Sequence, residues 1–301
     1  MAVGSLSLDD AAVSRPAGAR PAGMHPRVAV VVLNWNGWRD TVRCVRSLEA
    51  SDYPNYEVVV VDNGSDDGSP ERLREMCPAA TVLAVGQNLG FAGGNNRGIR
   101  HALRSDARYV WVLNNDTVVD RQALATMVKT AEADPAVGAV GAVIWTMDGA
   151  RVLAWGGGDV DLRGGRSWYV VTPHERLTYI TGASMLLKTA ALQDAGLFDE
   201  RFFLYWEDTD LSWRLRRAGW TVRVAPDARV WHQESSTVGQ DTYMKARHFT
   251  RGLVLFLRKH TPVPLVPAVR ALRRELYRAR VRRRADLQRG VARGWVEGWL
   301  A

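Results

Sequence analysis

An α/β fold with a mostly parallel central sheet flanked by helices is predicted by three observations. Four apolar runs in the first 116 residues (VAVVVL, EVVVV, TVLAV and YVWVL) are continuous rather than alternating, as strands are when both faces of a sheet are covered. Each run ends in a small polar cluster: Asn34-Trp35-Asn36-Gly37, Asp62-Asn63-Gly64-Ser65, Gly86-Gln87-Asn88-Leu89-Gly90 and Asn114-Asn115-Asp116-Thr117. The intervals from Asn34 to Asp62 to Asn88 to Asp116 are 28, 26 and 28 residues, one strand–helix unit each. Ligands of such sheets sit at the carboxyl ends of the strands, so one edge of the protein collects amides and carboxylates.

The elements follow in order. Residues 1–26, rich in Ala, Gly, Pro and Ser without periodicity, are expected to be a disordered arm. Helices are predicted over 38–51, 70–77, 94–105 and 120–133, the last ending before Asp134-Pro135. A fifth strand is expected over 137–144. Gly156-Gly157-Gly158 and Gly164-Gly165 break the next stretch into short strands or hairpins. Residues 179–187 read as a strand and 189–195 as a short helix. A helix over 207–218 puts Leu211, Leu215 and Ala218 on one face, with Gly219 as its stop. Two short strands are expected over 222–225 and 229–231. From Thr242 on, two mainly helical segments are separated by Thr261-Pro262-Val263-Pro264. The predicted organisation is an arm (1–26), a main α/β domain (27–241) and a basic helical extension (242–301).

The net charge of +8 is unevenly distributed. Fifteen Lys/Arg but only Glu275, Asp286 and Glu297 lie from Lys245 onward, leaving 25 basic and 29 acidic residues before it. The body is therefore no polyanion binder. No apolar stretch approaches the roughly 18 residues that span a bilayer, and Asp9 and Asp10 occupy a start without the apolar core of a signal peptide. Cys44 and Cys77, the only cysteines, lack metal-type spacing. A reduced, cytosolic protein is expected.

Turns after strands favour Asn, Asp and Gly for conformational reasons alone, but four such exits along one edge exceed what turns need. Asp62 could grip a ribose hydroxyl in a dinucleotide fold, yet the required G-x-G-x-x-G is missing, since the first turn is Asn34-Trp35-Asn36-Gly37. A carboxylate accepting from the N3–H of uracil or thymine suits the same position. Asp116 beside amide oxygens offers hard ligands for Mg2+ or Mn2+ shared with a diphosphate. His232, at a strand end, is the candidate second ligand, the alternative being a structural histidine. In Trp206-Glu207-Asp208-Thr209-Asp210, acids in a first helical turn are ordinary capping. Asp208, however, precedes Leu211 by three residues and so falls on the buried face, as a cavity-wall carboxylate would. Phe202, Phe203, Tyr205 and Trp206 just upstream are either core or a surface for stacking on sugar rings.

Together, Val32–Gly37, Val61–Ser65, Asn88–Asn96, Leu113–Thr117 and Glu207–Leu211 resemble family-2 glycosyltransferases of the GT-A fold, above all bacterial rhamnosyltransferase-like members, over about residues 28–235. The resemblance implies that Asn34, Asn36, Asp62, Asn63 and Ser65 hold the base and ribose. It implies that Asn88, Gly90, Gly93, Asn95, Asn114 and Asn115 border the nucleotide. Asp116 matches the last acid of the family's metal-binding D-x-D, His232 a further metal ligand, and Asp208 the catalytic base. Thr181, Gly182, Trp206 and Glu207 would face the sugar or acceptor. Asn114 departs from the pattern: it stands where an Asp is usual and brings no charge.

The implied reaction is inverting, metal-dependent transfer from a dTDP- or UDP-sugar to a glycan or polyprenol-linked acceptor in cell-surface glycan synthesis. The donor tilts towards dTDP-rhamnose, with another hexose or galactofuranose from a UDP-sugar as the alternative. A sugar nucleotidyltransferase would need a Gly-rich, Arg/Lys-bearing loop after the first strand, which is absent. A nucleic-acid-binding protein would need a known binding motif beside the basic tail, and none is present. The tail mixes arginines with Leu265, Val266, Val269, Leu272 and Leu276. It is either a solvated basic helix or a surface for an anionic inner leaflet, which would make the protein cytoplasmic and peripheral on the membrane.

Overall fold

The computed structural model describes residues 25–174, 177–233 and 242–301. The predicted arm therefore lies outside the described residues except for His25 and Pro26, whose carbonyls accept from Asn55 and Tyr53. The boundary expected at 241 falls outside them as well.

The first half alternates as expected: β1 (Val28–Asn34), α1 (Trp38–Glu49), β2 (Tyr56–Asp62), α2 (Ser69–Met76), β3 (Thr81–Ala84), α3 (Gly90–Leu103) and β4 (Tyr109–Asn114). β5 (Thr117–Val119), α4 (Ala123–Glu132), β6 (Val137–Thr146) and β7 (Val152–Trp155) follow. The main sheet runs β3-β2-β1-β4-β11-β6-β12-β5, with β7 beside β6. Here β11 is Ser184–Lys188 and β12 is Thr221–His232. The β3-β2-β1-β4 half is parallel, while β11 enters antiparallel to both β4 and β6. The sheet as a whole is mixed. A smaller sheet, β10-β8-β9, is built from β8 (Gly157–Asp161), β9 (Arg166–Tyr169) and β10 (Tyr179–Ile180).

β1 explains its own unbroken apolar run. Val28, Val30 and Val32 enter the core under α1, α2 and α4, while Ala29 and Val31 enter the core under α3, α5 (Thr189–Ala195) and α6 (Glu207–Arg217). A strand covered on both faces has no polar positions to spare. The chain leaves β1 for β2 and β3 on one side and returns to β4 on the other. The β1/β4 boundary is thus the topological switch point, where a ligand crevice opens at the carboxyl ends.

Several expected boundaries move, each for a local reason. α3 begins at Gly90, not at 94, so the glycines expected in a loop are helical. They are small because α3 lies hard on the sheet: a Cβ at Gly94 would sit 2.4 Å from Leu33 Cδ1, and one at Gly98 2.4 Å from Val31 Cγ1. The strand expected over 179–187 is interrupted at 181–183 into β10 and β11. The strands expected over 222–225 and 229–231 are one strand, β12, with an irregularity between Ala225 and Arg229. β5, only three residues long, escapes periodicity altogether. Beyond 242 there are three helices rather than two: α7 (Tyr243–His260), α8 (Leu265–Val281) and α9 (Ala285–Leu300). Gly290, Gly294 and Gly298 weaken the helical signal of α9, yet they let it cross α7 closely. A Cβ at Gly294 would lie 2.1 Å from the Arg247 carbonyl.

Candidate active site

A cavity of about 420 Å³ opens at the carboxyl ends of β1 and β4. Asn63, Asn88, Gly90, Asn114, Asn115 and Asp116 line it from the parallel half, and Thr181, Gly182, Glu207, Asp208 and His232 from the other. Eleven of the residues predicted from sequence therefore meet at one space.

Sheet register brings Asp116 and His232 together. β5 pairs antiparallel with β12 so that His232 faces Thr117, and the Gln233 amide donates to the Asp116 carbonyl at 3.0 Å. His232 Nε2 then lies 3.0 Å from Asp116 Oδ1 and 3.3 Å from Asn114 Nδ2. Both side chains are largely buried.

Asp208 stands in the first turn of α6, across the cavity. Its Oδ2 accepts the Gly182 amide at 2.9 Å, and its Oδ1 accepts the Thr209 amide at 2.6 Å. Gly182 is also packed against Phe91, since a Cβ there would be 3.0 Å from that ring. Burial raises the Asp208 pKa above the usual carboxylate range, and the hydrogen bonds from Gly182 and Thr209 offset part of that rise. Glu207 is 5 % exposed and its Oε2 is a buried atom without a hydrogen-bond partner. Burial, then the adjacent Asp208 charge, pushes its pKa well up. Both pKa values are raised, and only Asp208 has backbone amides that offset the rise.

Asn34, Asn36, Asp62, Ser65, Gly93, Asn95 and Trp206 are not part of the lining. Asp62 is 1 % exposed, and its carboxylate accepts from Asn34 Nδ2 (2.8 Å), Ser65 Oγ (2.6 Å) and the Ser65 amide (3.1 Å). Asn36 joins the same turn, its amide donating to Ser65 Oγ and its Oδ1 accepting from Asp66. These four lock the exits of β1 and β2 together. Asn63 donates to Asn88 Oδ1 and the Gly90 carbonyl and accepts from the Leu89 amide, fixing the entry to α3. Gly93 and Asn95 are buried within α3. Trp206 is 3 % exposed and faces α7, its ring 5.1 Å from that of Phe256 and 5.6 Å from that of Phe249. Of the upstream aromatics, Phe203 and Tyr205 line the cavity, whereas Phe202 and Trp206 are core.

The lining also includes residues to which the sequence assigned no role: Trp35, Phe91, Tyr169, Lys245 and Phe249. Trp35 lies within the Asn34–Gly37 turn and is 37 % exposed. Tyr169 sits near Asp208; desolvation and then the Asp208 charge raise the pKa of its phenol. Lys245 and Phe249 arrive on α7, from the segment read as a separate extension. Lys245 is the one lysine or arginine among the lining residues described.

α7 also holds α6. Asp210, 0 % exposed, lies against Arg214 (2.7 Å), Lys259 (2.8 Å) and His260 (2.8 Å). Tyr205 and Trp206, which lead into α6, both have left-handed backbones with φ of 68° and 75°. Gly252 of α7 passes so close that a Cβ would be 2.6 Å from the Tyr205 carbonyl.

Comparison with known proteins agrees with this arrangement. The sequence profile described as "Glycosyltransferase like family 2" matches residues 25–249. The chain is 28% identical over 247 residues to an N-acetylglucosaminyl-diphospho-decaprenol L-rhamnosyltransferase of Mycobacterium tuberculosis, covering 73% of this chain and 80% of that protein. It is 26% identical over 238 residues to a poly-beta-1,6-N-acetyl-D-glucosamine synthase of Staphylococcus epidermidis, covering 74% and 53%. Among solved structures, the mannosyltransferase PcManGT from Pyrobaculum calidifontis, in complex with GDP-Man and Mn2+, superposes with a TM-score of 0.58 at 20% identity, covering 92% of this chain and 87% of that one. S. aureus TarS 1-349 gives 0.57 at 15% identity, covering 85% and 73%. These structural likenesses establish a GT-A fold.

Proposed function

This chain belongs to the family-2 glycosyltransferases, and from that membership we propose that it moves rhamnose from dTDP-rhamnose to a hydroxyl of a polyprenol-linked glycan by single displacement with inversion. The observation that carries the reading is the convergence of Asp208, Asp116 and His232 on one cavity. Asp208, aimed by the Gly182 and Thr209 amides, takes the proton from the acceptor hydroxyl as that oxygen attacks the anomeric carbon. The nucleoside diphosphate departs from the opposite face. A positioned base supplies about 10²–10⁴-fold. Glu207 and Tyr169 border the same space as hydrogen-bond donors to sugar or acceptor hydroxyls.

The residues present fit a divalent ion. A carboxylate oxygen and an imidazole nitrogen 3.0 Å apart are spaced as neighbouring ligands of one ion. Among the described residues no group of three His, Cys, Asp or Glu is placed to hold a metal, so the donor diphosphate would complete the shell. Asp116 and His232 would hold Mg2+ or Mn2+, which neutralises charge on the departing diphosphate. Lys245 adds charge from the protein itself. The nucleoside is assigned to Trp35, Asn63 and Asn88, with Asp62 bracing the turn behind them.

Rhamnose is favoured by the relationship to the mycobacterial enzyme and by Ile144, Leu153 and Ala154, an apolar part of the lining. Such a wall suits the methyl of a 6-deoxy sugar better than a hydroxymethyl left without partners. A UDP-hexose or UDP-galactofuranose is the alternative donor. A polyprenol-linked acceptor requires work at a bilayer. No described helix is long and apolar enough to cross one, so adhesion of residues 245–301 to an anionic inner leaflet belongs to the same proposal.

The test is nucleotide release from a panel of UDP- and dTDP-sugars, by wild type and by Asp208→Asn. Turnover is expected with dTDP-rhamnose and a lipid-linked acceptor. It should fall by at least about 10²-fold in Asp208→Asn with donor affinity, measured by calorimetry, nearly unchanged. Turnover with UDP-sugars alone would reassign the donor. A parallel collapse of donor affinity would make Asp208 structural.

A further inference from the structure

Many of the basic groups after Lys245 are already engaged. Arg247 and Arg293 pair with Glu297, and Lys259 pairs with Asp199 and Asp210. Arg258 donates to the Gly298 and Ala301 carbonyls, and Arg274 to those of Gly164 and Gly165. Arg273 and Arg280 of α8 are exposed and stand beside large exposed apolar side chains. At 100° per residue, Leu265, Val266, Arg273, Tyr277, Arg280 and Val281 fall within one arc of that helix, and all six are exposed. Among them Leu265 is 55 %, Tyr277 69 % and Val281 63 % exposed. The arc contains no acid: Glu275, the one acid of α8, lies off it, beside Arg274 and Arg278.

We propose that this outer face of α8 is a docking surface for a bilayer rich in anionic phospholipid, a proposal that locates the membrane adhesion put forward above. Large apolar side chains beside arginines suit the boundary between head groups and acyl chains, where the ring and branched side chains enter and the guanidinium groups stay with phosphates. Nucleic acid would meet the arginines but leave Leu265, Val266 and Val281 in water. A second copy in isologous contact would set arginine against arginine.

The face is tied to the active site. Arg270 donates to the Arg163 carbonyl at 3.0 Å, Arg274 grips Gly164 and Gly165, and a Cβ at Gly165 would be 2.5 Å from the Pro267 carbonyl. These contacts hold the turn between β8 and β9. β9 carries Tyr169 into the cavity lining and leaves Trp168 45 % exposed. A bilayer against α8 therefore bears on the element that carries Tyr169 to the catalytic cavity, where a lipid-linked acceptor would enter.

The experiment is flotation of the full-length protein with phosphatidylcholine vesicles, with and without phosphatidylglycerol, using Arg273→Ala/Arg280→Ala and Tyr277→Ser/Val281→Ser. Binding is expected only with phosphatidylglycerol, weakened about 5-fold per arginine removed and weakened also by the apolar pair. Nucleotide release with a water-soluble acceptor should be unchanged in both variants, so a failure of lipid binding is distinguishable from a failure of the glycosyltransferase reading. Undiminished flotation of both variants would overturn the proposal. So would loss of random-DNA binding or of a sedimenting dimer in their place, which would assign the face to nucleic acid or to a second copy.

Discussion

Glu207 and Asp208 are adjacent carboxyl groups at one cavity wall, and the fold separates their chemistry. Asp208 receives two backbone amides, whereas the Glu207 side chain keeps a buried oxygen without a partner. A buried acid of raised pKa has a definite linkage with stability. The unfolded chain releases the Glu207 proton above its ordinary value of 4.5, while the folded chain holds it to higher pH. Stability from this group is therefore complete at low pH and declines as pH rises towards the folded pKa, by up to about 1.4 kcal/mol per pH unit. Glu207→Gln removes that slope. Urea unfolding of both proteins between about pH 5 and 8 should show the variant gaining on wild type as pH rises. A difference independent of pH would mean that Glu207 ionises normally in the folded state.

At the scale of the element, α6 is fixed by α7. Burial alone would raise the pKa of Asp210, but the hydrogen bond from His260 and the charges of Arg214 and Lys259 outweigh it and lower the value. The stabilisation from a lowered acid is present above the unfolded pKa of about 3.8 and is lost as pH falls through the folded one. Asp210→Ala removes the shared acceptor of Arg214, Lys259 and His260, leaving Lys259 to Asp199 and Arg214 to the carbonyls of 195–197. The expected cost is about 3–5 kcal/mol, the usual size for breaking a buried ion cluster, measurable by urea unfolding at neutral pH. Because α7 also supplies Lys245 and Phe249, catalysis should fall with stability. A variant of normal stability would show that α7 is held by its apolar contacts alone, through Phe249 and Phe256 on Trp206.

At the scale of the molecule, α9 covers α7, with Gly290, Gly294 and Gly298 at the crossing. A chain cut at Thr261 loses that cover, exposing the part of the α7 surface that α9 packs against. Truncation is expected to give aggregated protein, monitored by light scattering, and a monodisperse product would show α7 to be self-sufficient. The parallel half of the sheet was legible in the sequence because β1, β2 and β4 are buried on both faces and each exit is polar. The antiparallel entry of β11 was not, since an apolar strand reads alike in either direction. Convergence of Asp116, Asp208 and His232 was anticipated from motif order, whereas Asp62 is turned inward on Asn34 and Ser65, a matter of side-chain direction that spacing does not encode. Trp35, Tyr169, Lys245 and Phe249 come from a turn, a short hairpin and a distant helix, where no periodicity marks a cavity. The cavity has one further property. One wall is drawn from residues 33–116 and the opposite wall from 144–249, with the Asp116–His232 pair as the seam. On the proposed assignment, a chimera exchanging only the second stretch with a relative would replace His232, Lys245 and the Ile144, Leu153 and Ala154 wall together with the acceptor side, so sugar and acceptor preference are expected to change together while Trp35, Asn63 and Asn88 stay in place.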